Sequence, residues 1–175
     1  LVVEKGADWA GLRWLGSDAP LRVALKRYSR RVPFMPLGAS YSIETDATLY
    51  LRQGWKLDTR LGGPPAEYGD YTAAFDMDAL GSDVPLLVRT KKEGDTIAPF
   101  GMDGRKSLQD LYVDAKIPQA IRSRVAVVAR ADTGEVLWVP GPGGRRSRLA
   151  TVTPKSKRIL WLTFSRMAIE EQESV

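Results

Sequence analysis

No helix or central strand can run through Gly62-Gly63-Pro64-Pro65, because two prolines remove backbone donors and two glycines leave nothing to pack. This run is the clearest break in the chain and reads as a loop or linker. Before it, Trp9, Leu12 and Leu15 can line a helical face, although Gly6, Gly11 and Gly16 weaken that pattern. Leu21 to Tyr28 sets Leu21, Val23 and Leu25 against Arg22, Ala24 and Lys26, the alternation of a half-buried strand. Arg30-Arg31 and the stretch from Pro33 to Gly38 read as an irregular connection. Ile43, Thr48, Tyr50 and Trp55 favour strands over residues 41–59, with Gln53-Gly54 at a turn or bulge.

After the break the signals sharpen. Thr72 to Asp76 and Pro85 to Arg89 read as strands. Ser107 can cap a helix, with Asp110 three residues on and Leu108, Leu111 and Tyr112 at helical spacing. Pro118 opens a second short helix from Gln119 to Ser123. Val125 to Ala129 and Val136 to Val139 flank Asp132-Thr133-Gly134, a hairpin signal. Ile159 to Phe164 is a final apolar strand. The mixture predicts an α+β fold in which strands dominate. Residues 1–65 form a strand-containing segment with no assignable motif, packed on the rest. Residues 70–166 form a C-terminal domain, and the acidic tail of 167–175 frays.

The chain has no Cys and no His. Disulfides and thiol chemistry are excluded, and the commonest general base and metal ligand are missing. The absence of Cys fits a cytoplasmic protein, and no apolar run approaches the roughly 20 residues needed to span a bilayer. Residue 1 is Leu, which reads as the start of a processed or trimmed piece. The formal net charge is +5, unevenly placed: Leu86 to Arg166 carries 16 basic and 7 acidic residues, and the remainder is mildly acidic. Such asymmetry points to a localised surface for a polyanion.

Within the basic half, Gly94, Gly101 and Gly104 surround Pro99 and lead into the Ser107 helix. Glycines feeding a helix N-terminus can offer N–H groups to phosphate, but the same residues also make plain turns. Lys91, Lys92, Arg105, Lys106, Lys116, Arg122 and Arg124 surround the segment. They can contact phosphate or an A-form groove, or be solvated beside Asp110 and Asp114. Gly141 to Arg148 is a second basic loop bearing Arg145, Arg146 and Arg148. Trp138 and Trp161 read as core, and Phe100 and Met102 as wedges under the glycine loop. Asp76, Asp78, Asp95 and Asp110 share no geometry that would make a metal or acid–base pair.

Gly94-Asp95, Pro99, Gly101-Met102, Gly104, Lys106, Leu108, Asp110, Asp114, Lys116-Ile117-Pro118 and Arg122 follow one another in a recognisable order. So does Leu137-Trp138-Val139-Pro140-Gly141 downstream. In this the chain resembles the C-terminal region of bacterial tRNA(Ile)-lysidine synthetases, with Ile117 in place of the usual Val. The resemblance spans about 40 residues closely and extends loosely from Phe75 to Phe164. It implies a β-rich domain similar to one in the phenylalanyl-tRNA synthetase β subunit. It also implies a tRNA partner whose acceptor stem is inspected, and a parent ligase that uses ATP to attach lysine to an anticodon cytidine. The Ser-Gly-Gly-x-Asp-Ser type of ATP loop is absent. The implied role is therefore noncatalytic, with no cofactor in this chain and an N-terminal catalytic domain as the second partner. In this reading Gly94, Asp95, Pro99, Gly101, Met102 and Gly104 are structural. Gly101 and Gly104 would aim Lys106 and the Ser107 helix at the RNA backbone. Two rivals remain: a pocket for a phosphorylated small molecule near Gly101 and Gly104, and a protein-interaction module with a basic face.

Overall fold

A computed structural model describes residues 19–63, 67–81 and 83–167. The expected helical face of Trp9, Leu12 and Leu15, the fraying tail from Ala168, and Pro64-Pro65 of the central break lie outside those residues.

The first described element corrects the sequence reading. Ala19–Tyr28 is an α-helix, α1, and not a strand. Residues 21, 25 and 28 also have the i, i+4, i+7 spacing of one helical face. Leu25 and Tyr28 are buried while Val23 is 66% exposed, so the helical period decides the outcome. The buried stripe packs on the 3-10 helix Gln119–Arg124.

The strands are β1 (Ser40–Ile43), β2 (Thr48–Tyr50), β3 (Trp55–Leu61), β4 (Thr72–Asp76), β5 (Leu86–Thr90), β6 (Thr96–Ile97) and β7 (Lys106–Ser107). They continue with β8 (Ala126–Arg130), β9 (Val136–Val139), β10 (Arg145–Arg146) and β11 (Ile159–Arg166). A four-stranded antiparallel sheet runs β2-β3-β11-β4. A seven-stranded mixed sheet runs β1-β5-β8-β9-β6-β7, with β10 also on β9. Among the described residues only the single β6–β9 pairing is parallel. Residues 40–61 thus supply strands to both sheets.

Two apolar layers result. One lies between the sheets and includes Trp55, Leu57, Phe75, Val88, Val128, Trp138, Leu160 and Phe164. The other covers the far face of the larger sheet. There Leu25, Tyr28, Leu111, Tyr112 and Ile121 meet Ile97, Val127, Val136 and Val139. Strands β8 and β9 are covered on both faces, which explains their near-continuous apolar sequence. The fold is therefore strand-rich α+β, with short helices on the far face of the larger sheet and one, Met77–Leu80, against the layer between the sheets. Helix α2 (Met77–Leu80) is capped by Asp76. Helix α3 (Leu108–Asp114) is capped by Ser107, whose Oγ accepts from the Asp110 N–H at 3.0 Å. The 3-10 helix after Pro118 and the hairpin around Asp132 form where the sequence places them.

An ion pair holds the turn between β5 and β6. Arg89 is 2% exposed and meets Asp95 in a fork, at 2.8 and 3.0 Å. Its remaining donors reach the carbonyls of Thr90 and Gly134, each at 3.0 Å. The Lys92 N–H donates to the same carboxylate at 2.7 Å. Asp95 thus serves the backbone of the turn as well as Arg89.

Candidate nucleic-acid interface

The basic residues divide by what they touch. Helix α1 ends in Lys26 and Arg27, and Arg30 and Arg31 follow in the next turn. The Tyr28 hydroxyl donates to the Lys116 carbonyl at 3.2 Å, which fixes Lys116 beside this turn. Lys116 has φ 56°, the left-handed conformation that terminates α3. The contact between α1 and Gln119–Arg124 brings in Arg122 and Arg124. Arg122 bonds the Ile117 carbonyl at 2.9 Å, and burial lowers the pKa of Arg124. The Gly141–Gly144 loop closes on the same place. A Cβ on Gly141 would lie 3.2 Å from the Arg31 carbonyl, and one on Gly143 would lie 2.9 Å from the Ala115 Cβ. Arg145, exposed, extends from this loop.

Lys26, Arg27, Arg30, Arg31, Lys116, Arg122 and Arg145 therefore meet where three elements converge. Among the described residues none of them is in an ion pair. The sequence reading does not single out the four on and after α1: Lys26 and Arg27 fall in the expected strand, Arg30 and Arg31 in the expected irregular connection, and all four in the half that is acidic on balance. The Arg30-Arg31 doublet beside Tyr28 was the available signal.

Gly144 is what lets the basic loop fold back. A Cβ there would lie 1.9 Å from the Val139 carbonyl oxygen, a backbone atom that cannot move aside. Gly144→Ala is expected to destabilise the chain by about 1–3 kcal/mol, as overpacking does. Denaturant unfolding measures this, and an unchanged midpoint would contradict the tight turn.

A second group gathers on the glycine loop. Pro99 bridges to Ser147, and the Phe100 N–H donates to the Arg146 carbonyl at 2.8 Å. The Arg146 guanidinium lies 4.0 Å from the Tyr68 ring centroid and 5.0 Å from that of Phe100. Phe100 and Met102 are 50% and 49% exposed, so neither is a wedge under the loop, which corrects that expectation. Trp138 and Trp161 are core, as expected.

Three of the remaining predicted cations, Arg148, Arg105 and Lys106, are engaged. Arg148 donates through one nitrogen to the carbonyls of Met102 and Gly104, at 3.0 and 2.7 Å, and so braces the glycine loop. Arg105 bonds Glu135 at 2.8 and 3.0 Å, which raises its pKa. Lys106 pairs with Asp114, at the far end of α3. Lys91 and Lys92 lie in the Asp95 turn, where only the Lys92 backbone N–H is bonded, and among the described residues neither ammonium is in an ion pair. The first turn of α3 is likewise occupied: Leu108 N–H donates to the Asp95 carbonyl at 3.0 Å, and Asp110 N–H to Ser107. Lys106 and the helix start therefore face their own chain, contrary to the idea that the glycines aim them at RNA. Gly101 and Gly104, with φ near 78° and 77°, are turn residues on open surface, where a Cβ would meet nothing within 4 Å. Among the described residues both glycines are exposed, which does not suit a closed pocket for a phosphorylated small molecule.

Among the described residues no cluster of acidic side chains could hold a metal ion, and no helix is long and apolar enough to cross a membrane. The architecture defines a strand-rich domain with a group of cations where α1, the turn at Lys116 and the Gly141–Gly144 loop converge. Known proteins are similar to it in sequence and fold. The TilS substrate C-terminal domain family matches residues 86–161. A crystal structure of a TILS C-terminal domain superposes with a TM-score of 0.65 at 30% identity, covering 74% of this chain and 98% of that one. The tRNA(Ile)-lysidine synthase of Dehalococcoides mccartyi (strain CBDB1) is 32% identical over 136 residues, 75% of this chain and 27% of the relative. That of Symbiobacterium thermophilum is 44% identical over 77 residues, 44% of this chain and 15% of the relative. The chain belongs to the TilS C-terminal domain family. It spans about a quarter or less of the length of the curated relatives it matches.

Proposed function

We propose that this chain is a noncatalytic tRNA-binding module of a tRNA(Ile)-lysidine synthase, which holds the acceptor stem while a separate N-terminal domain carries out the ATP-dependent chemistry. The observation that carries this reading is the group of cations without carboxylate partners at α1, Lys116 and the Gly141–Arg145 loop. Free cations on a shared surface suit the regular phosphate rows of an A-form stem, which proteins recognise by backbone and shape more than by sequence. The family membership supports tRNA as the polyanion, because the named relatives are tRNA(Ile)-lysidine synthases.

Salt tests the reading. If about six cations meet phosphates, tRNA affinity should fall roughly 10³-fold between about 50 and 200 mM monovalent salt. Arg30→Ala and Lys116→Ala should each lower the slope of log affinity against log salt by about one unit. Gel shifts with tRNA and an equally charged heparin competitor measure both. A salt-insensitive affinity, or complete displacement by heparin at equal charge, would refute the proposal.

A further inference from the structure

We propose that Tyr68, Arg146 and Phe100 form a stacking platform for an unpaired nucleobase, the single-stranded end that continues an acceptor stem. This rests on the RNA-binding reading above and adds to it a site of different chemistry.

The platform is a ladder that leads from the core to solvent. Trp161, 4% exposed, packs its ring 5.6 Å from Tyr68. Tyr68 carries the Arg146 guanidinium at 4.0 Å, and Phe100 faces the same guanidinium at 5.0 Å. Tyr68 and Phe100 remain 47% and 50% exposed. The backbone fixes the arrangement through the Phe100 N–H bond to Arg146 and the Pro99–Ser147 bridge. The rings are thus held at the surface and not merely left there.

The cation inside the stack is poised for a π-face or a phosphate. Arg146 is engaged by the two rings and, among the described residues, by no carboxylate. Its neighbour Arg145 binds the carbonyls of Gly143 and Gly144. An open hollow of about 290 Å³ lies against the stack, lined in part by Tyr68, Asp70, Phe100 and Arg146. That is at the low end of the roughly 300–1,000 Å³ typical of small-molecule sites, and the hollow is open. It suits one planar ring laid on aromatic and guanidinium faces. Asp70 at the rim repels phosphate but can accept from the amino group of a base. Bases inside a stem have both faces covered by their neighbours, so the platform favours an unpaired nucleotide, whose base is free to leave the stack.

The test compares a tRNA bearing its unpaired 3′ end with the same RNA trimmed to a blunt stem. The unmodified chain should bind the tailed RNA about 5- to 100-fold more tightly, the range for one base on an aromatic platform. Phe100→Ala should remove this advantage and leave blunt-stem affinity unchanged. Phe100→Tyr should restore the advantage. Tyr68 supports Trp161, so Phe100, which is half-exposed, is the cleaner position. Equal binding of both RNAs, with steep salt dependence intact, would overturn the platform and spare the basic surface. An equal loss for both RNAs in Phe100→Ala, at unchanged thermal stability, would also overturn it. If the unmodified chain binds neither RNA, the RNA reading itself falls. If Phe100→Ala keeps both affinities but loses association with other synthase domains, Phe100 belongs to a protein contact and the platform is refuted.

Discussion

Asp95→Ala is expected to cost about 3–5 kcal/mol of stability, the range for removing one partner of a buried ion pair. The reason is what the substitution leaves behind. Arg89 is 2% exposed, and its fork onto Asp95 has no substitute nearby. An uncompensated guanidinium would remain between the sheet and the β5–β6 turn. The Lys92 N–H would lose its acceptor as well. At roughly 2–4 °C per kcal/mol for a chain of this size, the melting temperature should drop by about 6–20 °C. Replacing both partners, Arg89→Met with Asp95→Leu, should recover part of the loss, because apolar substitutes often match a buried pair. Recovery should stay incomplete, since the Gly134 and Thr90 carbonyls and the Lys92 N–H lose their partners. A double-mutant cycle followed by thermal unfolding separates these contributions. An Asp95→Ala loss below about 1 kcal/mol would mean that water reaches the site and that the pair is not buried.

The second large effect is on RNA. Reversing Arg27, Arg30, Arg31, Lys116 and Arg145 to Glu should weaken tRNA binding by on the order of 10³-fold or more at low salt. All five side chains are exposed, so the unfolding midpoint should hold. Arg105→Ala with Lys106→Ala should change affinity by less than about threefold, because both cations are already neutralised by Glu135 and Asp114. Comparable losses in the two variants would show that binding follows net charge and not the place where cations lack partners.

That contrast also shows what sequence could and could not say. The Ser107 cap, the Asp132 hairpin, the Pro118 helix and β11 are local, and each followed from residues within a few positions of one another. The family resemblance was legible for the same reason: its motif is nearly contiguous. Residues 21–28 failed because Leu21, Val23 and Leu25 satisfy an alternating pattern while 21, 25 and 28 satisfy a helical one. Only packing against Gln119–Arg124 chooses between them. Site residues failed for a related reason. Arg105 finds Glu135 thirty positions away, and Arg148 finds Met102 and Gly104 more than forty positions away. No window along the chain reveals that such cations are engaged. Counting charge over large segments likewise hid Lys26, Arg27, Arg30 and Arg31, because acidic residues farther along the chain outweigh this wholly basic run in the sum.

Strand β11 occupies the middle of the four-stranded sheet, between β3 and β4. Its register joins Arg166 to Trp55 and Ile159 to Asp76, partners far apart along the chain. A ribosome therefore delivers both flanking strands well before the one that joins them. Until then β3 and β4 each present an open edge, and the apolar side chains of Trp55, Leu57 and Phe75 lack their covering neighbours. Closing such distant pairings is entropically slow, so the sheet assembles last and all together, on the millisecond-to-second scale of high contact order. A nascent chain cut short before residue 159 would have its outer strands with nothing to bind them, and it would be a substrate for chaperones or proteases.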